Sequence, residues 1–444
     1  MEDIGSSGAS GPSEEGGLSR RQFAKAAVAI GGASALSACL DRGGSPDVAQ
    51  GPDDLSTLPA RQHAWDEFLT RDDHGNVVAP RHRVLLLLNY AGEATPSDAE
   101  RETAESAFRS LERAYKRGND GLLFTVGYSP SYFERFDAGL PASVDLQKPR
   151  ALASFEEPEL DEQDAVVHLA SDHAPVVLAA EEALLGEQSA VNGVEMDADI
   201  SGVFERVDRR TGFIGAGLPA ENQDVDGIPS SEPVDEEAPL YMGFKSGYRK
   251  NQATEDRVTI SDGPFAGGTT HQLSKIRLNL DQWYQQDSRS QRVSKMFCPV
   301  HAEEDLVEGV GDNLGDSSQM EERSCPAHAE EHARTRGSVG HSQKSARARD
   351  EDGSPLMIRR DFDSTDRDEN GDDGQASLHF VSLQRTISDF VDTRDAMNGT
   401  DLAERSAVGQ RNNNGILQYM EVLRRGNFLL PPREHRALPT SNPS

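Results

Sequence analysis

Several groups of residues in this chain have types and spacings that can do chemistry. His341 lies in the tetrapeptide Gly340-His341-Ser342-Gln343. An arginine pair, Arg359 and Arg360, follows with Asp361 directly after it, and His341 and Arg359 are 18 positions apart. An imidazole offers a metal-binding nitrogen, and an arginine offers a permanently charged planar donor fork. With a buried strand beside them, these are the parts from which a haem pocket is made. The ordinary alternative is that a single histidine in an acidic chain lies on the surface and that an arginine beside an arginine is solvated. Upstream, Gly243-Phe244-Lys245-Ser246-Gly247 is a glycine-bracketed loop carrying a hydroxyl.

Cys298-Pro299-Val300-His301 recurs as Cys325-Pro326-Ala327-His328, with 23 residues between the two copies. Two C-x-x-H pairs have the ligand identities of a tetrahedral Cys2His2 site, usually zinc. A Cys298–Cys325 disulfide, or two free thiols, fits the same residues. His328 and His332, four apart, share one helix face and can add or replace a ligand. The acidic run 361–374 (DFDSTDRDENGDDG) reads as a solvated hairpin loop, with Ca²⁺ binding as the alternative.

These residues need a scaffold, and the hydrophobic patterning describes one. Residues 84–90 (VLLLLNY) form a continuous apolar run, as in a strand buried on both faces. In the following stretch Ala104, Phe108, Leu111 and Tyr115 recur at helical spacing. Ser97 with Glu100 three residues on reads as a capping box at the start of that helix. Residues 121–129 (GLLFTVGYS) and 165–172 (AVVHLASD) are further strands. A second amphipathic helix covers 174–185, and 202–210 (GVFERVDRR) is a fourth strand. The order β-α-β-β-α-β is that of a ferredoxin-like unit, which makes the fold class α+β. Later in the chain, 267–280 (GGTTHQLSKIRLNL) alternates like a strand, and 377–385 (SLHFVSLQR) is another.

Strand and helix segments of the form LLFTVGYSPSYFERF and VVHLASD resemble the first domain of dye-decolourising peroxidases. The resemblance continues in order to residue 432, through GFKSG, SLHFVSLQR and GILQYM…GNFLLPP. It implies two ferredoxin-like domains with antiparallel sheets, a dimeric α+β barrel, with haem b in the second. It implies His341 as the iron ligand and Arg359 as the residue that binds peroxide on the other face. Gly243, Phe244 and Gly247 are then part of the cofactor's surroundings. Gln418 stands where relatives often carry a carboxylate that hydrogen-bonds the ligand histidine. The family's GxxDG loop has an aspartate where this chain has Ser246, so the proton-handling group changes, and Asp361 is the nearest substitute. The function implied is reduction of H₂O₂ with oxidation of an unknown electron donor. The alternative is a peroxidase-like lipoprotein that binds haem, or a metal at the Cys/His pairs, without efficient turnover.

Composition adds a setting. The 444 residues carry a net charge of −31, and the basic residues are 8 lysines against 37 arginines. Excess carboxylate with scarce lysine fits a protein kept soluble at high salt, where screening removes self-repulsion. It also argues against nucleic acid as a partner, because counterion release needs a basic surface. Near the start, SRRQFAK precedes a short Ala-rich apolar run that ends in Leu36-Ser37-Ala38-Cys39. This resembles a twin-arginine export leader with a lipobox, which would leave Cys39 lipidated on the outer face of the cell membrane. The expected organisation is a leader at 1–38, a flexible tether at 39–75, and an N-terminal ferredoxin-like domain at 76–212. A linker at 213–238 then leads to a C-terminal haem domain at 239–438, with the Cys/His insertion at 298–336. An oligomer is compatible with all of this.

Overall fold

A computed structural model describes residues 46–366 and 375–443. Cys39, the leader and the acidic stretch 367–374 lie outside the described residues. In the first half, β1 (His82–Tyr90), α1 (Asp98–Ala114), β2 (Leu123–Tyr128), β3 (Ala165–Ser171), α2 (Ala174–Leu184) and β4 (Phe204–Phe213) follow in the expected order. The capping box forms: the Ser97 hydroxyl accepts from the Glu100 N–H, and the Glu100 carboxylate accepts from the Ser97 N–H. The strands lie side by side as β4-β1-β3-β2, all antiparallel, which is the ferredoxin-like arrangement.

The second half repeats the plan. β5 (Thr269–Leu278) is followed by α3 (Leu280–Gln286), α4 (Arg289–Met296), α5 (Pro299–Glu303), α6 (Ala329–Arg336) and α7 (His341–Ser345). The short strands β6 (Met357–Arg359) and β7 (Phe362–Ser364) come next, then β8 (Ser377–Gln384), α8 (Ile387–Asn398) and β9 (Met420–Leu430). Here β9 pairs β5, β5 pairs β8, and β8 pairs both β6 and β7, again antiparallel. The two sheets join at both edges, β7 to β4 (Asp363 opposite Phe213) and β9 to β2 (Leu429 opposite Tyr128). The strands therefore close into a ring, which leaves no open edge among them.

Because side chains alternate along a strand, each strand presents one row inward and one outward. The inward row packs Leu85, Leu87, Val166, Leu273, Phe362, Val381 and Phe428 into one core. The same interior holds ion pairs, including Arg210 between Asp161 and Asp208. The outward rows are covered by helices, α1 and α2 over the first sheet and α4, α7 and α8 over the second.

Two segments differ from expectation. The part of the supposed tether that is described, 46–75, packs onto the fold, because it carries apolar groups that composition alone hides. Trp65 is fully buried, and the Arg360 guanidinium lies 3.9 Å from its ring centre. The second is the run after β9. Residues 433–439 fold back onto the first half, where Arg433 and Arg436 pair with Glu112 of α1, and the Tyr132 hydroxyl donates to the Pro439 carbonyl.

Candidate active site

A cavity of about 200 Å³ lies between the outer face of the second sheet and the helices that cover it. Alternation decides what the sheet contributes. Ser274, Ile276 and Leu278 of β5 and Leu378 and Phe380 of β8 face the cavity, while their neighbours Leu273 and Val381 face the ring interior. The same rule applied along β6 and β7 puts Arg359, Asp361 and Asp363 on the cavity side. It puts Arg360 and Phe362 on the other, where Arg360 donates to the His63 carbonyl and sits on Trp65. This separates the two arginines: Arg359 is the one that reaches the cavity.

The helical wall contributes His341 from the first turn of α7 and Thr393, Arg394 and Met397 from α8. Neither ring nitrogen of His341 has a hydrogen-bond partner among the described residues. Burial, reinforced by the Arg359, Lys344 and Arg394 charges, lowers its pKa to about 3, so the ring is neutral with a free lone pair. The helix that carries it is held tightly. Gly340, directly before it, has no room for a side chain: a Cβ there would lie 1.7 Å from the Phe297 carbonyl oxygen. That oxygen accepts from the Gln343 N–H at 3.2 Å, and the buried Gln343 amide donates to the Cys325 carbonyl. Lys344 is buried and donates to the Met397 carbonyl and to both oxygens of Asn414. Burial, then the nearby arginines, pull its pKa well below that of an ordinary lysine.

The glycine-bracketed loop forms a third wall. Gly243 and Gly247 both take left-handed φ of 79°, which lets the loop turn so that Phe244, Lys245 and Ser246 line the cavity. The structure thus gathers His341, Arg359, Ser246, Phe244 and Asp361 around one space. Asp361 is buried, accepts from the Val381 N–H, and lies 3.9 Å from the Arg359 guanidinium. Desolvation raises its pKa to about 6. Asp363 is the residue that sequence reasoning passed over. One of its oxygens accepts from the Tyr241 N–H, and the other is buried without a partner among the described residues. Burial pushes its pKa well above the usual carboxylate range. Its signal is the alternation R-x-D-x-D at 359–363, hidden at the head of a run whose composition is that of a solvated acidic loop. Asp361 and Asp363 are buried, and Asp366 is half-buried with its carboxylate paired to Lys275, so that reading fails for 361–366: these residues belong to β7 and its flanks.

Two expectations are not met. Gln418 does not line the cavity; its amide accepts from the Asn413 N–H and donates to the Tyr419 hydroxyl. The Cys2His2 zinc site is not assembled either. Cys298 and Cys325 are joined as a disulfide, and only His301 approaches them. His328 is exposed at the start of α6, and the His332 ring bonds the Gln343 amide. The second C-x-x-H copy lends its cysteine and turns its histidine away, so the ligand set is one short.

No curated protein matches this chain. Solved structures do. A dye-decolorizing protein from V. cholerae aligns with a TM-score of 0.53 at 13% identity, covering 84% of this chain and 98% of its own. DtpA from Streptomyces lividans, solved as an oxyferrous complex, gives 0.53 at 18%, covering 85% and 96%. A DypB variant from Rhodococcus jostii, solved with heme, gives 0.50 at 14%, covering 85% and 99%. At these identities the likeness establishes the fold, which is that of the DyP-type peroxidases. Residues 80–432 match a family of unknown function, DUF7405, and the chain belongs to that family.

Proposed function

We propose that this protein binds haem b in the cavity through His341 and reacts there with hydrogen peroxide, oxidising an electron donor. The observation that carries this reading is His341 itself: a neutral imidazole, free of protein partners, faces a cavity on whose other wall lies Arg359. The surroundings fit a flat apolar group with charged edges. Ile276, Leu278, Phe244, Phe297, Leu378 and Phe380 supply apolar lining. Arg411 bonds only backbone carbonyls, those of Leu417 and Met420, and has no carboxylate partner among the described residues, which suits a propionate. Bound there, the iron porphyrin supplies the redox equivalents for cleaving an O–O bond.

The chain's own groups divide the remaining work. The Arg359 fork holds the peroxide and stabilises negative charge on the departing oxygen. Asp361, ionised above about pH 6, would accept a proton from the bound peroxide. Asp363, whose pKa burial raises well above the usual carboxylate range, lies on the same strand face and would be the proton donor to the departing oxygen. Ser246 stands where the family carries an aspartate and cannot serve as a base unaided. That substitution favours a second reading, in which the protein holds haem but turns peroxide over slowly. The leader motif and Cys39 support export and lipid anchoring of the folded protein on the outer face of the membrane.

The test is an absorption spectrum of protein from its own membrane, with and without His341→Ala. A Soret band lost in the variant is expected, and an unchanged band sinks the ligand assignment. Peroxide consumption by the wild type separates rapid turnover from the second reading.

A further inference from the structure

The disulfide leaves an unexplained group beside it. His301 is fully buried, and its Nε2 lies 2.9 Å from the Ser318 carbonyl oxygen. A carbonyl only accepts, so Nε2 carries the hydrogen and Nδ1 presents a bare lone pair. That Nδ1 lies 3.1 Å from the Cys298 sulfur and 3.8 Å from the Cys325 sulfur. Disulfide sulfurs have no hydrogen to give. In the oxidised form the lone pair is therefore aimed, without a donor, at two sulfurs in a dry environment. Its hydrogen-bonded far side is the arrangement that orients a metal-ligating imidazole.

We propose that Cys298, His301 and Cys325 form a redox-gated site for a soft monovalent cation, copper(I). The three ligand atoms lie within 4.8 Å of one another, and all three residues are buried. This is the only such group among the described residues. The set has two thiolates and one imidazole and lacks a fourth ligand. Soft thiolates suit both zinc and copper(I), but structural zinc takes four ligands, so the three-ligand set favours copper(I).

The chemistry balances with a dithiol as reductant. Its two electrons break the S–S bond, its two protons go to Cys298 and Cys325, and it leaves as its own cyclic disulfide. Binding copper(I) then forms two Cu–S bonds and one Cu–N bond at Nδ1 and releases the two thiol protons to water. With the disulfide closed, both sulfurs are spent on each other and the cation has no site. The proposal does not depend on haem or on peroxide chemistry.

The test uses the full chain with Cys39→Ala, so that only two thiols count. After anaerobic dithiol treatment and desalting, the protein competes with bicinchoninate for copper(I). One equivalent should bind, none should bind before reduction, and copper-edge absorption should report two sulfurs and one nitrogen. His301→Gln should keep two titratable thiols and weaken binding by about tenfold or more. Three results overturn the proposal: reduced protein that takes no copper(I), binding indifferent to His301→Gln, or a shell of four protein ligands. Loss of the folded circular dichroism signal on reduction, unrestored by copper(I), also overturns it and leaves the pair as a staple.

Discussion

Gly340→Ala is the sharpest perturbation of the site, because it adds one methyl group and touches nothing else. The new Cβ would sit 1.7 Å from the Phe297 oxygen, 2.3 Å from its carbon and 2.8 Å from the Cys298 nitrogen. All three are backbone atoms and cannot swing aside. Ordinary contact needs roughly 3.2 Å or more, so the segments must part by about 1.5 Å. That movement breaks the bond from the Gln343 N–H to the Phe297 oxygen and strains the capping bond from the Gly340 N–H to the Gln343 side chain. Overpacking of this kind costs about 1–3 kcal/mol, and leaving a buried backbone group unpaired adds about 1–3. The expected loss is therefore about 2–6 kcal/mol, together with displacement of His341. Gly139→Ala is the control, since nothing lies within 4 Å of a Cβ there. The assay is denaturant unfolding of both variants, with haem titration followed at the Soret band. A Gly340→Ala protein within about 0.5 kcal/mol of wild type, with full haem uptake, would refute the account of how α7 is held.

Asp361→Asn tests the buried carboxyl through pH. The folded pKa is raised by desolvation from 3.8 to about 6, so the neutral acid is favoured in the fold. That advantage is complete below about pH 4 and is lost as pH rises through 6, at about 1.4 kcal/mol per unit. Relative to wild type, the asparagine variant should gain about 3 kcal/mol between pH 4 and 7 in unfolding experiments, and parallel pH curves would contradict the shift. Arg210→Met removes the buried guanidinium shared by Asp161 and Asp208 inside the ring, leaving Asp161 the longer contact to Arg424, and should cost about 3–5 kcal/mol; a loss under about 1 kcal/mol would mean that the remaining contacts suffice. Ser246→Asp restores a carboxylate to the cavity loop. Stopped-flow mixing with H₂O₂ should show faster peroxide reaction, and an unchanged rate would mean that Asp361 and Asp363 already suffice.

The strands and helices of the first half, and β5 and β8 of the second, were legible because each carries its own period, whereas the short helices and strands between β5 and β8 are too brief to show one. The run 84–90 has no polar interruption, and Ser97 and Glu100 cap α1 by a purely local rule. Ring closure was not legible from periodicity, since Asp363 opposite Phe213 and Leu429 opposite Tyr128 are pairings with no local mark; the family resemblance supplied that expectation. Within the site, the family resemblance singled out His341 and Arg359, which residue type alone does not separate from a surface histidine and a solvated arginine. Asp363 could not be singled out while composition was allowed to outvote alternation, because a run of acids looks solvated unless each residue is assigned a face. The cysteines show a different limit. Disulfide and metal site both require two sulfurs to converge, so ligand identity cannot choose between them; the exposed position of His328 rules out only the four-ligand zinc set.

The clasp formed by residues 433–439 bears on the order in which the protein can be built. Glu112, Tyr128 and Tyr132 wait for partners more than 300 positions downstream. Contacts of such span form late, after shorter ones have restricted the chain. The first half can make its strands and helices as it emerges from the ribosome, yet the buried Glu112 stays without its two arginines until nearly all the rest has been translated. Synthesis thus delivers a half-built sheet with an uncompensated acid and two unpaired edges, β4 and β2, which the second half closes. The two similar halves thus share one ring, and the clasp that completes the first half comes from the last residues of the second.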